Sequence, residues 1–312
     1  MFSSANKAII ICGPTGSGKS DLGMAIARKY SGSIISADSR QIYRKLDIGT
    51  AKPSKEDIAE IPHFLVDVID VTDDFTAADF AENASKSIEQ IYASKRIPII
   101  VGGAGLYLEA LTEGLVEAPS KDDKLRKQIE TRLKNEGSAV LHKELEKLDP
   151  ERAKSISPND PVRIIRALEI IELSGGPVGL IRNKRRRRVI DLNYFWIGID
   201  FPRKVLYERI DNRVNSMIEL GLLEENQQLI SDGLGDAIKK KKIVGYSEII
   251  DALEGNISMV KAISLLKQHS RNYAKRQMTW FRNRANCSWF NPLETNFHDK
   301  VFTMIDDNFN EA

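Results

Sequence analysis

The sequence predicts an α/β protein: a parallel sheet with helices on both faces and a helical domain inserted into it. Three observations carry this. A strand-like run, a glycine-rich turn and a helix-like run follow one another at residues 8–28. The first hundred residues alternate apolar β-branched stretches with stretches of helical spacing, the rhythm of βαβ units. From residue 119 that rhythm stops, and charged amphipathic segments without strand signal run to residue 188.

Residues 8–12 (AIIIC) are short, apolar and β-branched, which suits a buried strand. After the turn, residues 18–30 place apolar side chains at helical spacing. Residues 33–37 form a second strand, 64–69 a third and 97–101 a fourth, with a helix over residues 76–94 between the last two. Residues 102–105 (GGAG) open another helix. Segments 121–137 and 139–148 are helical; Pro158 and Pro161 interrupt, and 162–173 is helical again. Ser174-Gly175-Gly176-Pro177 ends that helix. Residues 192–199 return as a strand, and 202–284 are mostly helical. No internal repeat is present, and residues 296–312 carry no readable motif. The expected division is a first core part at 1–118, a helical insertion at 119–188, and a second core part with C-terminal helices at 189–312.

Composition is that of an ordinary globular chain: 312 residues, 42% hydrophobic and 29% charged. No apolar run is long enough for a membrane helix, and residues 1–7 do not read as a secretory signal. Two cysteines, Cys12 and Cys287, argue against a disulfide framework and for a reducing, cytoplasmic setting. The formal net charge is only +2, but basic residues cluster at 184–188, 239–242 and 271–284. Clustering of this kind on a near-neutral chain suggests a localised face for a polyanion, while the lysine run 239–242 reads as solvated surface.

The turn Gly13-Pro14-Thr15-Gly16-Ser17-Gly18-Lys19-Ser20 is a phosphate-binding loop, and with its strand and helix it implies a P-loop NTPase-like sheet core. Its glycines let the backbone wrap an anion, the helix N-terminus points N–H groups at it, and Lys19 adds a charge. The Ser20 hydroxyl can reach a magnesium ion. The motif does not specify which phosphate compound is bound. In such sheets ligands lie beyond the carboxyl ends of the strands, where residues 13–20, 38–41 and 102–105 fall. Asp38, directly after the second strand, is either a proton acceptor or magnesium ligand, or a helix N-cap. Thr15 can donate to a phosphate or a reacting group. Arg213 either closes over a diphosphate or is one surface arginine among many. Arg163 and Arg166, one turn apart, suit backbone phosphates or simply an exposed helix edge. Residues 271–282 mix cations with rings that either pack on the core, the reading favoured for Trp280 and Phe281, or stack on bases. The four histidines lack metal-ligand spacing, His63 reads as a packed loop residue, and no serine sits in a nucleophile elbow.

Together these segments resemble the tRNA dimethylallyltransferases, or tRNA isopentenyltransferases. The likeness runs through GPTGSGKS at 13–20, ISADSRQIYRKLDIGTAKPS at 35–54 and IPHFLVDVID at 61–70. It continues through PIIVGGAGLYLEAL at 98–111, LDPERAKSISPNDPVRIIRALEI at 148–170, VGYSEI at 244–249 and YAKRQMTWFRN at 273–283. DIGTAKPS, at 47–54, is the most specific of these segments. The resemblance implies transfer of a dimethylallyl group from dimethylallyl diphosphate to N6 of the adenine beside the anticodon. It implies Asp38 as base, Thr15 and Arg213 as further catalytic residues, and the loop as the diphosphate site with magnesium at Ser20. It further implies that Asp38, Ser39, Arg40, Gln41, Ala104, Arg126, Val162, Arg163, Ile164, Ile165 and Arg166 contact tRNA. A monomer free of membrane is expected. Ala104 stands where the family usually has threonine, so a hydroxyl contact to donor or nucleotide is missing there; Gly16 for alanine and Ser20 for threonine are milder departures. Three other readings use parts of the same pattern. An adenylate isopentenyltransferase shares the core but lacks the need for a long insertion. A small-molecule kinase has no place for DIGTAKPS, and a nucleotide-switched RNA-binding protein has no switch or guanine-reading segment here.

Overall fold

The structure is a computed structural model that describes residues 7–115, 118–177 and 188–310. Its chain divides into two compact units, Met1–Thr112 with Val189–Ala312, and Glu113–Arg188. Residues 184–187 of the first basic run lie outside the described residues.

In the first unit six strands form one parallel sheet: β1 (Lys7–Cys12), β2 (Gly32–Ala37), β3 (His63–Phe64), β4 (Ile97–Gly102), β5 (Asn193–Ile199) and β6 (Ser288–Phe290). Their spatial order is β3-β2-β4-β1-β5-β6. β1 is central, with Ile9 beside Ile99 of β4 and beside Phe195 of β5. Ile9, Ile10 and Ile11 are all fully buried although they alternate in direction, because helices cover both faces. One face packs on α1 (Lys19–Tyr30) through Leu22 and Ile26, and on α14 (Phe297–Asn310) through Val301, Ile305 and Phe309. Phe80 of α3 (Ala77–Ala93) stacks on Tyr107 of α4 (Gly105–Thr112) with ring centres 4.6 Å apart.

A second core lies beneath the segment that follows β2. It joins Ile42, Tyr43 and Leu46 to the far half of α9 (Arg203–Glu219), to α10 (Leu222–Ser231), α11 (Gly235–Lys240) and α12 (Ser247–Leu253), and to the first half of α13 (Met259–Arg284). Short α2 (Lys55–Glu60) is closed by a capping box between Ser54 and Asp57.

Two sequence expectations change here. The strand expected over 64–69 stops at Phe64, because Leu65 and Asp67 take positive φ of 60° and 56° and cannot continue a ladder. Further on, Ile69 makes an isolated bridge to Tyr43, outside the sheet. No helix starts at Asp38: the chain turns instead, and Asp38 Oδ1 accepts a hydrogen bond from its own Arg40 N–H at 2.8 Å. That is a side-chain-closed turn in place of the N-cap alternative.

The second unit is helical: α5 (Asp123–Glu136), α6 (Ser138–Leu148), α7 (Pro150–Lys154) and α8 (Pro161–Ser174). Ile129, Leu141, Leu145, Ile164, Ile165 and Leu168 form its core. Asp160 caps α8 and Pro161 opens it, the pairing favoured at a helix start. Glu169 is fully buried in this unit and is met by Arg166 at 2.8 Å and by the Asp122 N–H at 3.1 Å.

Candidate active site

The loop between β1 and α1 is built as its residues demand. Gly16 and Gly18 hold φ of 78° and 81°, a region that costs other residues a steric penalty. The Thr15 N–H donates to Gln277 Oε1 at 2.8 Å, and Gln277 Nε2 donates to the Gly103 carbonyl at 3.0 Å. Buried Gln277 therefore staples the glycine-rich loop to the turn that leaves β4. Arg209 Nε donates to the Gly16 carbonyl at 3.0 Å, and Arg213 Nη1 to Thr15 Oγ1 at 3.1 Å. Lys19 Nζ folds onto the Pro14 carbonyl at 2.8 Å. The Ser17 hydroxyl is buried beneath the loop and has no hydrogen-bond partner among the described residues. Ser20 is exposed at the mouth.

A cavity of about 560 Å³ opens at the carboxyl ends of β1, β2 and β4, and Thr15, Lys19, Ser20, Asp38, Arg213 and Gln277 all line it. A smaller one of about 190 Å³ shares Thr15, Asp38, Thr50 and Arg213 with the first, and adds Arg40, Tyr273 and Arg276. Asp38 thus stands at the junction of two hollows. Burial pushes the Lys19 ammonium down to about 8; Asp38 opposes the shift and Arg213 adds to it. Burial also lowers the Arg213 guanidinium from its ordinary value, again opposed by Asp38. Tyr273 is pushed up to about 12, first by burial and then by Asp38. His63 lines the larger cavity with Nδ1 held by the Ile61 carbonyl at 2.7 Å.

The segment at 47–54 is held from below. Gly49 N–H donates to the Tyr246 hydroxyl at 3.0 Å, and that hydroxyl donates to Glu225 at 2.5 Å. A side chain on Gly49 would meet the Tyr246 ring at 2.5 Å, so the close approach needs glycine. Lys52, almost wholly buried, donates to the Tyr43 carbonyl at 2.7 Å and Asp47 at 2.6 Å, and pairs with Asp67. Gln41 accepts from Ser36 at 2.8 Å and donates to the Ala51 carbonyl at 2.9 Å, which ties the segment to the end of β2.

The structure thus brings together Thr15, Lys19, Ser20, Asp38 and Arg213 from positions up to 198 residues apart. Ser39, Arg40 and Gln41 are half-buried beside them, and Ala104 sits in the turn before α4 with its N–H on the Ala37 carbonyl at 3.1 Å. In the helical unit, Val162 and Arg163 are exposed, whereas Ile164 and Ile165 lie in its core. Arg163 approaches Asp160 at 3.4 Å. Arg166 is committed to Glu169 and to the Pro119 carbonyl at 2.8 Å, and Arg126 reaches Glu169 at 3.8 Å. Sequence reasoning missed Gln277, Lys52, Tyr246 and Glu225. Gln277 had one readable signal: with Ala274 and Phe281 it falls on the apolar stripe of α13.

A sequence model described as IPP transferase matches residues 41–284. The chain belongs to the IPP transferase family. A tRNA dimethylallyltransferase of Geobacter metallireducens is 44% identical over 91% of this chain and 92% of its own. Among solved structures, the tRNA isopentenylpyrophosphate transferase of Bacillus halodurans is 38% identical, with a TM-score of 0.70 over 98% of this chain and 97% of that one. A eukaryotic dimethylallyltransferase acting on tRNA gives a TM-score of 0.80 at 27% identity, over 99% of this chain and 80% of that one. In this chain the loop, Asp38 and Arg213 occupy one end of the parallel sheet, and no helix among the described residues is long and apolar enough to cross a membrane.

Proposed function

We propose that this member of the IPP transferase family is a tRNA dimethylallyltransferase. It moves the dimethylallyl group of dimethylallyl diphosphate onto N6 of the adenine next to the anticodon, at tRNA position 37. The observation that carries the reading is the position of Asp38, Thr15 and Arg213 on the boundary shared by two hollows. The larger, which contains the phosphate loop, suits the diphosphate donor. The smaller, with Arg40, Tyr273 and Arg276, suits an unstacked purine and its flanking phosphates.

In the reaction the N6 lone pair attacks C1 of the donor, a C–N bond forms and the C–O bond to diphosphate breaks. The N6 proton passes to the Asp38 carboxylate, whose turn hydrogen bond engages Oδ1 and fixes its orientation. Charge growing on the diphosphate is met by Lys19, by loop N–H groups and by Arg213. The Thr15 hydroxyl, oriented by Arg213, faces the same charge. Removing the adenine from its stack costs about a few kcal/mol, which binding of the stem-loop must offset.

Magnesium fits this site as a companion of the diphosphate. Among the described residues no group of three or more His, Cys, Asp or Glu could hold a metal by itself. Ser20 offers one hard oxygen at the mouth, which matches an ion bound mainly by phosphate and water. Bound there, it would neutralise leaving-group charge.

The test is incubation with labelled dimethylallyl diphosphate and either an anticodon stem-loop or free AMP. Label on the stem-loop alone supports the reading; label on AMP alone overturns it in favour of an adenylate isopentenyltransferase.

A further inference from the structure

The two cysteines of the chain, 275 residues apart, meet with their Sγ atoms 3.2 Å from each other. Cys12 is the last residue of β1 and directly precedes Gly13 of the phosphate loop; it is fully buried. Cys287 is half-buried in the connection between α13 and β6. Sulfurs in a disulfide are about 2.05 Å apart, so the bond needs an approach of about 1.2 Å. Nothing in the proposed reaction uses either thiol.

We propose that Cys287 is an oxidation site, that Cys12 is its resolving thiol, and that their disulfide reversibly disables the phosphate loop. The reagent class is a peroxide. Cys287 Sγ attacks the O–O bond of hydrogen peroxide, forms a sulfenic acid and releases one water. Cys12 Sγ then attacks the Cys287 sulfur; the S–S bond forms and the hydroxyl leaves with the Cys12 proton as a second water. Two electrons pass from the sulfur pair to the peroxide, so the step balances.

The order of events follows from exposure. Cys287 is reachable from solvent and Cys12 is not. Its hydrogen bond to Cys287, together with burial, raises the Cys12 thiol above its ordinary range, so in the second step its proton passes to the hydroxyl leaving Cys287 as the S–S bond forms. The consequence for the loop follows from what the two sulfurs are attached to. One lies on the strand that feeds the loop. The other follows the helix that carries Gln277, whose amide holds Thr15 N–H at 2.8 Å. Drawing these two supports together shifts the staple, and a displacement of about 1 Å at a reacting centre can cost on the order of a hundredfold in rate.

The experiment uses the full chain, reduced, desalted, exposed to hydrogen peroxide and then alkylated, alongside Cys287→Ser and Cys12→Ser. Expected is a wild-type mass lower by two hydrogens, a Cys12–Cys287 cross-linked peptide and reversal by dithiothreitol. Stem-loop prenylation falls at least about tenfold and returns on reduction, while Cys287→Ser keeps its activity through the same treatment. Two thiols still open to alkylation after peroxide overturn the proposal. So does a disulfide that leaves prenylation unchanged, or a Cys287→Ser protein that loses activity as the wild type does. The activity readout rests on the donor reading above. A reduced enzyme that transfers nothing to any acceptor counts against that reading, and the mass of the peroxide-treated chain still decides the cysteine assignment.

Discussion

Raising the pH from 7 to 9 should weaken donor binding without unfolding the protein. Lys19 is held at about 8 against an ordinary 10.5, chiefly because burial disfavours its charged form. The ammonium is then about nine-tenths populated at pH 7, half at pH 8 and roughly one-tenth at pH 9. If only the charged form accepts the diphosphate, apparent affinity scales with that fraction and falls about tenfold, or about 1.4 kcal/mol, over the interval. Folding stability moves the other way. The unfolded chain holds more protons than the folded one between about 8 and 10.5, so Lys19 favours the folded state more as pH rises through that window. Equilibrium dialysis of labelled dimethylallyl diphosphate without tRNA, with a melting curve at each pH, measures both. A donor affinity that stays flat to pH 9 and declines only near 10.5 would refute the reasoning, because the loop lysine would then be an ordinary solvated one.

Asp38→Ala should reduce turnover by about two to four orders of magnitude while filter binding shows tRNA affinity retained; near-normal turnover removes Asp38 from the role of base. Arg163→Ala should lower the salt dependence of tRNA binding by about one unit of slope, and an unchanged slope excludes that phosphate contact. Arg166→Ala should instead destabilise the helical unit by about 2–3 kcal/mol in urea titration, because buried Glu169 then keeps the Asp122 N–H but loses its near cation, with Arg126 only at 3.8 Å. Gly49→Ala should cost about 1–3 kcal/mol in the same titration, since a new methyl meets the buried Tyr246 ring at 2.5 Å.

What could be read in the chain was contiguous. The phosphate loop is eight residues long and carries its own strand and helix, so its position at the sheet end follows from local pattern. Arg213 was one basic residue on a helix until the fold set its guanidinium on Thr15, 198 positions earlier. Gln277 depends on a hydrogen bond across 262 positions, which no spacing rule contains. DIGTAKPS stood out as a string, but its physical cause lies partly in Tyr246 and Glu225, both remote in sequence. Strand three was overextended because periodicity does not register left-handed backbone at Leu65 and Asp67. Residues 296–312 carry no motif, yet in α14 Phe297, Val301, Ile305 and Phe309 recur every four residues and are buried, a legible helical stripe. On α8, Arg163 and Arg166 share a spacing, yet one is exposed and the other is spent on a carboxylate buried in its own unit.

The central strand has a consequence for biosynthesis. β1 ends at Cys12, but its neighbour on one side begins at Asn193 and the residue that fastens the loop is Gln277. A ribosome must therefore make β5 and the helix that carries Gln277 before β1 is sandwiched. Until then an isoleucine-rich border stays open to stray pairing, an invitation to aggregate that chaperones would have to cover. A chain cut before Gln277 keeps Asp38 but lacks the side chain that holds the Thr15 N–H.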